Sequence, residues 1–244
     1  VDDQGQIQWK PAALFGGFQV SLAWIEDGQV YAFVQVFNPG PSVLTRTRTD
    51  KEFRQTISAL RQEHQALAKA KSLEDPAERA RRVATFIDSD FYECRGAALE
   101  DLARGGSAAM PVLREMLADP RRLPQHAEVI RAMAGAGASK AIPDMLNVVR
   151  EEIEYWKKTA PKLDEWWGRQ PMTQHYGRLH EALHQLGRFN VAPDDVEPVR
   201  QLRDLWQSLP QLDHIGKSIN TEGEYVGQSQ IVEVAERALK KAAE

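Results

Sequence analysis

A single cysteine, Cys94, stands in 244 residues, so neither an internal disulfide framework nor a multi-cysteine zinc site can be built. Long apolar runs are also missing, and no stretch approaches the roughly 18 residues of a membrane-spanning helix. Positive charge is in deficit: 31 Lys and Arg face 35 Asp and Glu, for a net charge of -4. That balance argues against a protein whose main task is gripping nucleic-acid phosphates. No glycine-rich phosphate cradle follows a strand, and Gly135-Ala136-Gly137 reads as a helix-ending turn. Ser, His and Asp are present, but no spacing arranges them as a triad. What remains is 42% hydrophobic and 27% charged, the composition of a folded domain with a real core. The length allows one large domain or two small ones.

The chain starts Val1-Asp2-Asp3-Gln4, with no charged-then-apolar leader to be read. The expectation is a mature exported or periplasmic protein, or a trimmed start. The lone thiol decides nothing about compartment, because a buried cysteine behaves as a small hydrophobe anywhere.

Residues 1–48 read differently from the rest. Phe18 to Ile25 and Val30 to Phe37 are rich in β-branched and aromatic residues, and Glu26-Asp27-Gly28-Gln29 lies between them. Asp-Gly tolerates the positive φ of a tight hairpin turn, so the segment is expected to form a β-hairpin. Asn38-Pro39-Gly40-Pro41 ends the second strand. From residue 49 to 244 the period becomes helical. Thr49-Asp50-Lys51-Glu52 has capping-box spacing, and Phe53, Ile57, Leu60, His64 and Leu67 form a stripe behind it. Asp75-Pro76 opens the next helix.

The helical part repeats itself. Ala98-Leu99, Leu102, Gly105 and Pro111-Val112-Leu113 outline one unit, and Val129-Ile130, Met133, Gly137 and Pro143 a second. Ala182-Leu183, Leu186-Gly187 and Pro198-Val199 outline a third, and Ala238-Leu239 with Ala242 begins a fourth. Each has an amphipathic helix, a glycine turn expected to leave the helix in the left-handed conformation, and a second helix with proline near its start. One such pair cannot bury its own apolar face, so neighbours are expected to stack.

Arg95-Gly96-Ala97-Ala98-Leu99-Glu100-Asp101-Leu102-Ala103, with Ala109-Met110-Pro111-Val112-Leu113 and Leu117-Ala118-Asp119, resembles the HEAT-repeat family. The likeness is to the short bacterial HEAT-like repeats of the phycobilisome-lyase type, and it covers residues 76–244. It implies a mainly α fold, an α-α superhelix preceded by the small N-terminal β-hairpin. A β segment followed by such repeats is also similar to the order in exported bacterial proteins. The resemblance is specific for fold and not for function, since such arrays serve as scaffolds, lyase subunits and nucleic-acid enzymes.

One motif points to chemistry. His180-Glu181-Ala182-Leu183-His184 matches H-E-x-x-H, in which two histidines bind zinc and the glutamate activates a metal-bound water. Gly187 and Asn190 fall where the longer pattern carries glycine and a third ligand, but asparagine is a poor zinc ligand. Against this, Leu179, Ala182, Leu183 and Leu186 form the apolar stripe of a repeat helix, and His180 and His184 fall at the positions of Gly96 and Glu100. His175 is off the metal-pair spacing and reads as a helix N-terminal or packing residue. Cys94 reads as core.

Tyr155-Trp156, Trp166-Trp167 and Tyr176 interrupt the repeat with an aromatic connection, and Arg169 and Arg178 lie close by. They either seal a gap between units or make a partner-binding patch of Trp166, Trp167, Arg169 and Tyr176. The basic clusters at Arg46-Thr47-Arg48, Arg79 to Arg82 and Arg121-Arg122 are short and flanked by acids, as on a solvated face. The expectation is therefore a non-enzymatic interaction scaffold with a protein partner, without cofactor or metal. The alternatives are a zinc hydrolase using His180, Glu181 and His184, and a nucleic-acid-binding HEAT-like enzyme.

Overall fold

The computed structural model of the chain describes residues 18–26, 29–36, 50–162, 172–209, 212, 218–219, 225–226 and 229–243. The chain divides into two compact units, Val1–Arg54 and Gln55–Glu244. In the first, β1 (Phe18–Glu26) and β2 (Gln29–Val36) pair antiparallel. The pairing of Glu26 with Gln29 leaves a two-residue connection, and the register slips between Val20 and Leu22.

The second unit is mainly helical. Its elements are α1 (Asp50–Lys71, which begins before the boundary), α2 (Pro76–Ala84), α3 (Tyr92–Arg104) and α4 (Met110–Ala118). They continue as α5 (His126–Thr159), α6 (Met172–Leu186), α7 (Glu197–Ser208) and α8 (Gln230–Ala242). Local sequence explains several starts. Asp75 accepts from the amides of Ala77 at 2.8 Å and Glu78 at 2.7 Å, and Pro76 sits where its missing N–H costs nothing. Pro111 and Pro198 stand in the first turns of α4 and α7. Thr49 lies outside the described residues. On α1, Leu67 is buried and Leu60 half-buried, whereas His64 is exposed and does not join the stripe.

α5 is broken at Gly137, whose φ of -170° and ψ of 65° leave the helical region. The expected left-handed exits occur differently. After α3 the residue with positive φ is Gly106, at 59°, and Gly105 stays helical at φ -67°. Gly106 is the only positive-φ glycine among the described residues. The chain thus changes direction by extended backbone at Gly137, which needs no left-handed residue.

Neighbouring helices are joined by identifiable contacts. A Cβ placed on Gly135 would sit 2.8 Å from the Cβ of Ala103, so α3 and the first half of α5 touch where side chains are smallest. Arg114 forks onto Asp144 (Nε–Oδ2 3.0 Å, Nη2–Oδ2 2.9 Å) and ties α4 to the second half of α5. Trp156 of α5 meets Trp206 of α7 edge-on, with ring centroids 5.1 Å apart. At the end of α6, a Cβ on Gly187 would lie 3.5 Å from the Ala238 amide of α8. Between α7 and α8 lies a short strand pair that the helical period of 49–244 does not announce, β3 (Ser218–Ile219) and β4 (Tyr225–Val226), which pair antiparallel. Ile219, Tyr225 and Val226 are strand formers, and so short a pair is invisible to a helical-period reading.

Gly135→Val is expected to lower the unfolding free energy by about 1–3 kcal/mol, the usual cost of overpacking. Combining it with Ala103→Gly should recover part of that loss. Urea unfolding of both single variants and the double variant checks this, and strict additivity would show that the two helices do not meet there.

Candidate functional site

Between α3 and the first half of α5 lies an open groove of about 780 Å³. Arg95, Leu99 and Ala103 follow one another at four-residue steps and so share one face of α3. Ile87, Ala97, Leu99, Ala103 and Ala132 supply its apolar lining, and Arg95, Glu100, Glu128 and Arg131 its charges. Arg95 Nη1 donates to the Ser89 carbonyl at 3.1 Å, and Arg104 holds Glu100 at 2.6 Å.

Arg131 connects this groove to α6. Its Nη2 donates to Glu181 Oε2 at 2.8 Å and its Nε to Oε1 at 3.2 Å, while Gln185 Nε2 donates to Oε1 at 2.7 Å. Burial raises the Glu181 carboxyl, but the Arg131 and Gln185 hydrogen bonds and the Arg131 charge outweigh it, so the group ionises below its ordinary value. Glu181 thus faces α5. His180, one position back, feels Glu233 and Arg237 of α8. Tyr176, His180 and His184 stack along one face of α6, with the two imidazoles 6.3 Å apart at 7° and the tyrosine 6.2 Å from His180. Desolvation pushes His180 below the usual histidine range, and His184 and Arg237 add to that push.

This arrangement does not fit a catalytic zinc. Such a site takes three protein ligands and a glutamate free to accept a proton from bound water. Both oxygens of Glu181 are occupied, and among the described residues no three His, Cys, Asp or Glu side chains are placed to hold a metal ion. The motif lies along an apolar stripe: Leu179, Ala182, Leu183 and Leu186 are buried, and the two histidines flank them half-buried. Cys94 is also buried, and burial together with Glu63 and Glu93 pushes its thiol up to about 11, far from a nucleophile.

Of the aromatic connection, Trp166, Trp167 and Arg169 lie outside the described residues. Tyr176 is half-buried against Trp206, with centroids 6.4 Å apart, and its Oη donates to Gln230 Oε1 at 3.4 Å. Burial pushes its phenol up to about 12. Trp156 and Trp206 are both fully buried, and Tyr155 packs edge-on against Trp156. Tyr155, Trp156 and Tyr176 therefore belong to a packed aromatic seam between α5, α6 and α7. The Arg121-Arg122 pair is engaged by acids, Arg121 with Asp119 at 2.8 Å and Arg122 with Asp88 at 2.6 Å.

Motif reading missed a buried charge cluster. Glu152, with no exposed surface, has His175 Nδ1 and Arg178 Nη1 both 2.9 Å from its Oε1. Arg178 Nη2 reaches Glu151 at 2.5 Å, and the His175 ring stacks on Tyr155 at 3.6 Å. His175 does sit in the first turn of α6, but its partner lies 23 positions back on α5. A signal was present. Met145, Val149, Glu152 and Trp156 are spaced as one apolar stripe, so the glutamate occupies a core position.

No protein-family profile, curated protein or solved structure matches this chain.

Replacing Arg178 by Met leaves the buried carboxylate with histidine alone, and should cost about 3–5 kcal/mol. Arg131→Met removes an exposed guanidinium but leaves Glu181 the hydrogen bond from Gln185, and should cost less, about 1–3 kcal/mol. Chemical denaturation compares them, and equal losses would mean that water reaches Glu152. Metal analysis of dialysed protein is expected to find no stoichiometric zinc in the wild type, and His184→Ala should melt within a few degrees of it. Tight zinc that disappears in that variant would reverse the assignment.

Proposed function

We propose that residues 76–244 form a HEAT-like repeat array that acts as a non-enzymatic protein-interaction scaffold. The observation that carries this reading is the order in which helices touch. The first half of α5 packs against α3 through Gly135 and Ala103 and pairs with α6 through Arg131 and Glu181; α6 then packs against α8. The second half of α5 takes Arg114 of α4 on one side and Trp206 of α7 on the other. Each helix thus meets its counterpart in the next pair, the nearest-neighbour rule of a stacked repeat. Within this reading α3 with α4, the two halves of α5, and α6 with α7 are successive units, and α8 opens another.

Such an array has no single deep pocket. It offers grooves between the first helices of adjacent units, and the groove between α3 and α5 is the place where a partner's side chains fit. The engaged state of Glu181 and the raised thiol of Cys94 turn the reading away from hydrolysis and covalent catalysis. The acidic balance turns it away from nucleic acid.

Affinity capture with the full chain as bait tests the proposal. Ala97→Arg with Glu128→Arg fills and inverts the groove at partly exposed positions, and should cut recovery of specific partners at least tenfold while the thermal midpoint stays within a few degrees. Unchanged recovery with that pair, but loss with Trp166→Ala and Trp167→Ala, would move the binding surface to the aromatic connection. Recovery insensitive to both would end the scaffold reading.

A further inference from the structure

His126 opens α5 directly after the turn 120–125, and its side chain is buried, at 3% exposure. Its Nε2 lies 3.1 Å from the Asp119 carbonyl, and as donor it satisfies that contact in the neutral ring. Its Nδ1 is buried and makes no hydrogen bond, with the Met116 carbonyl the backbone acceptor near the ring besides that of Asp119. Two charged groups act on the ring, Arg178 and Glu152. α6 presents Arg178, with His175 behind it; the second half of α5 presents Glu152, which both of them contact, and Glu151, which Arg178 reaches. The Asp119 carboxylate is turned to Arg121 and Arg122. Burial and the Arg178 charge disfavour the proton, while the Asp119 and Met116 carbonyls and Glu152 favour it. The first pair wins, and His126 titrates below an ordinary histidine.

The same turn forms one wall of the groove, through Pro124 and Gln125, and Glu128 and Arg131 follow within two turns of α5. We propose that His126 is an acid-operated latch: its protonation sets a second buried cation beside Arg178 and releases the turn 119–125 and the start of α5 from α6, loosening the groove wall. The sign follows from linkage. A base held neutral by the fold contributes its full stability above its unfolded value of about 6.5, and loses it as pH falls toward the folded value. Each pH unit by which the fold lowers that value appears as about a tenfold rise in the opening equilibrium at acid pH.

Hydrogen-exchange mass spectrometry of the full chain at pH 7.5 and 5.5, corrected for intrinsic rates, reads this directly. In the wild type the segments 119–136 and 172–186 should open more at pH 5.5, by up to about tenfold, with smaller changes in α7 and α8. His126→Gln keeps a donor for the Asp119 carbonyl without a titrating ring and should remove the difference, whereas His180→Gln should retain it. Equal acid opening in wild type and His126→Gln, or none in the wild type, overturns the latch. Should His126→Gln fail to fold, NMR titration of the wild-type ring decides. A midpoint at or above 6.5 overturns the proposal, and a lower one with coincident amide shifts at 127–132 supports it.

Discussion

The apolar face of each amphipathic helix has to be covered by another helix, and in this protein α5 supplies most of that cover. It packs against α3, α4, α6 and α7, and α2 and α8 pack on those. One continuous α-helix presents a single apolar stripe in one direction. The break at Gly137 lets one segment present two: its first half meets α3 and α6, and its second meets α4, α7 and the start of α6. The Gly135–Ala103 approach brings α3 close enough for this to work, because dispersion is lost over gaps of half an ångström.

Charge is sorted by burial. The pairs Arg104–Glu100, Arg200–Glu197 and Arg237–Glu233 lie on exposed surface of their own helices and contribute little. Glu152 and Arg178 are different, since both are out of water and each depends on the other. A buried ion pair is weak evidence for stability, yet it penalises every register of α6 on α5 that would separate the partners. With His175 stacked on Tyr155 and Trp156 locked against Trp206, the seam between these helices has one favourable alignment.

The H-E-x-x-H match shows how a motif depends on its surroundings. The same five residues on a helix beside a third ligand form a metal centre. Here Arg131 draws the glutamate toward α5, and the histidines lie along the flank of a buried leucine and alanine stripe. In this structure the glutamate of the motif joins two helices. The neighbouring groove combines an apolar lining with mixed charge.

Periodicity and punctuation in the sequence determined the helical character of the unit, the Asp75-Pro76 start, the turn near Gly137 and the core positions of Leu179, Ala182, Leu183 and Leu186, because these depend on residues within a turn or two. Glu152 stood visibly in an apolar stripe, but its partners could not be read, since a charge at a core position does not say which distant helix answers it. Tertiary structure alone decided that Arg178 and His175 meet it, that Arg131 pairs with Glu181, and that His126 is enclosed beside Arg178. The physical reason is common to all three. A side chain's protonation and bonding are set by the groups within a few ångströms, and in a stack of helices those groups come from segments tens of residues apart.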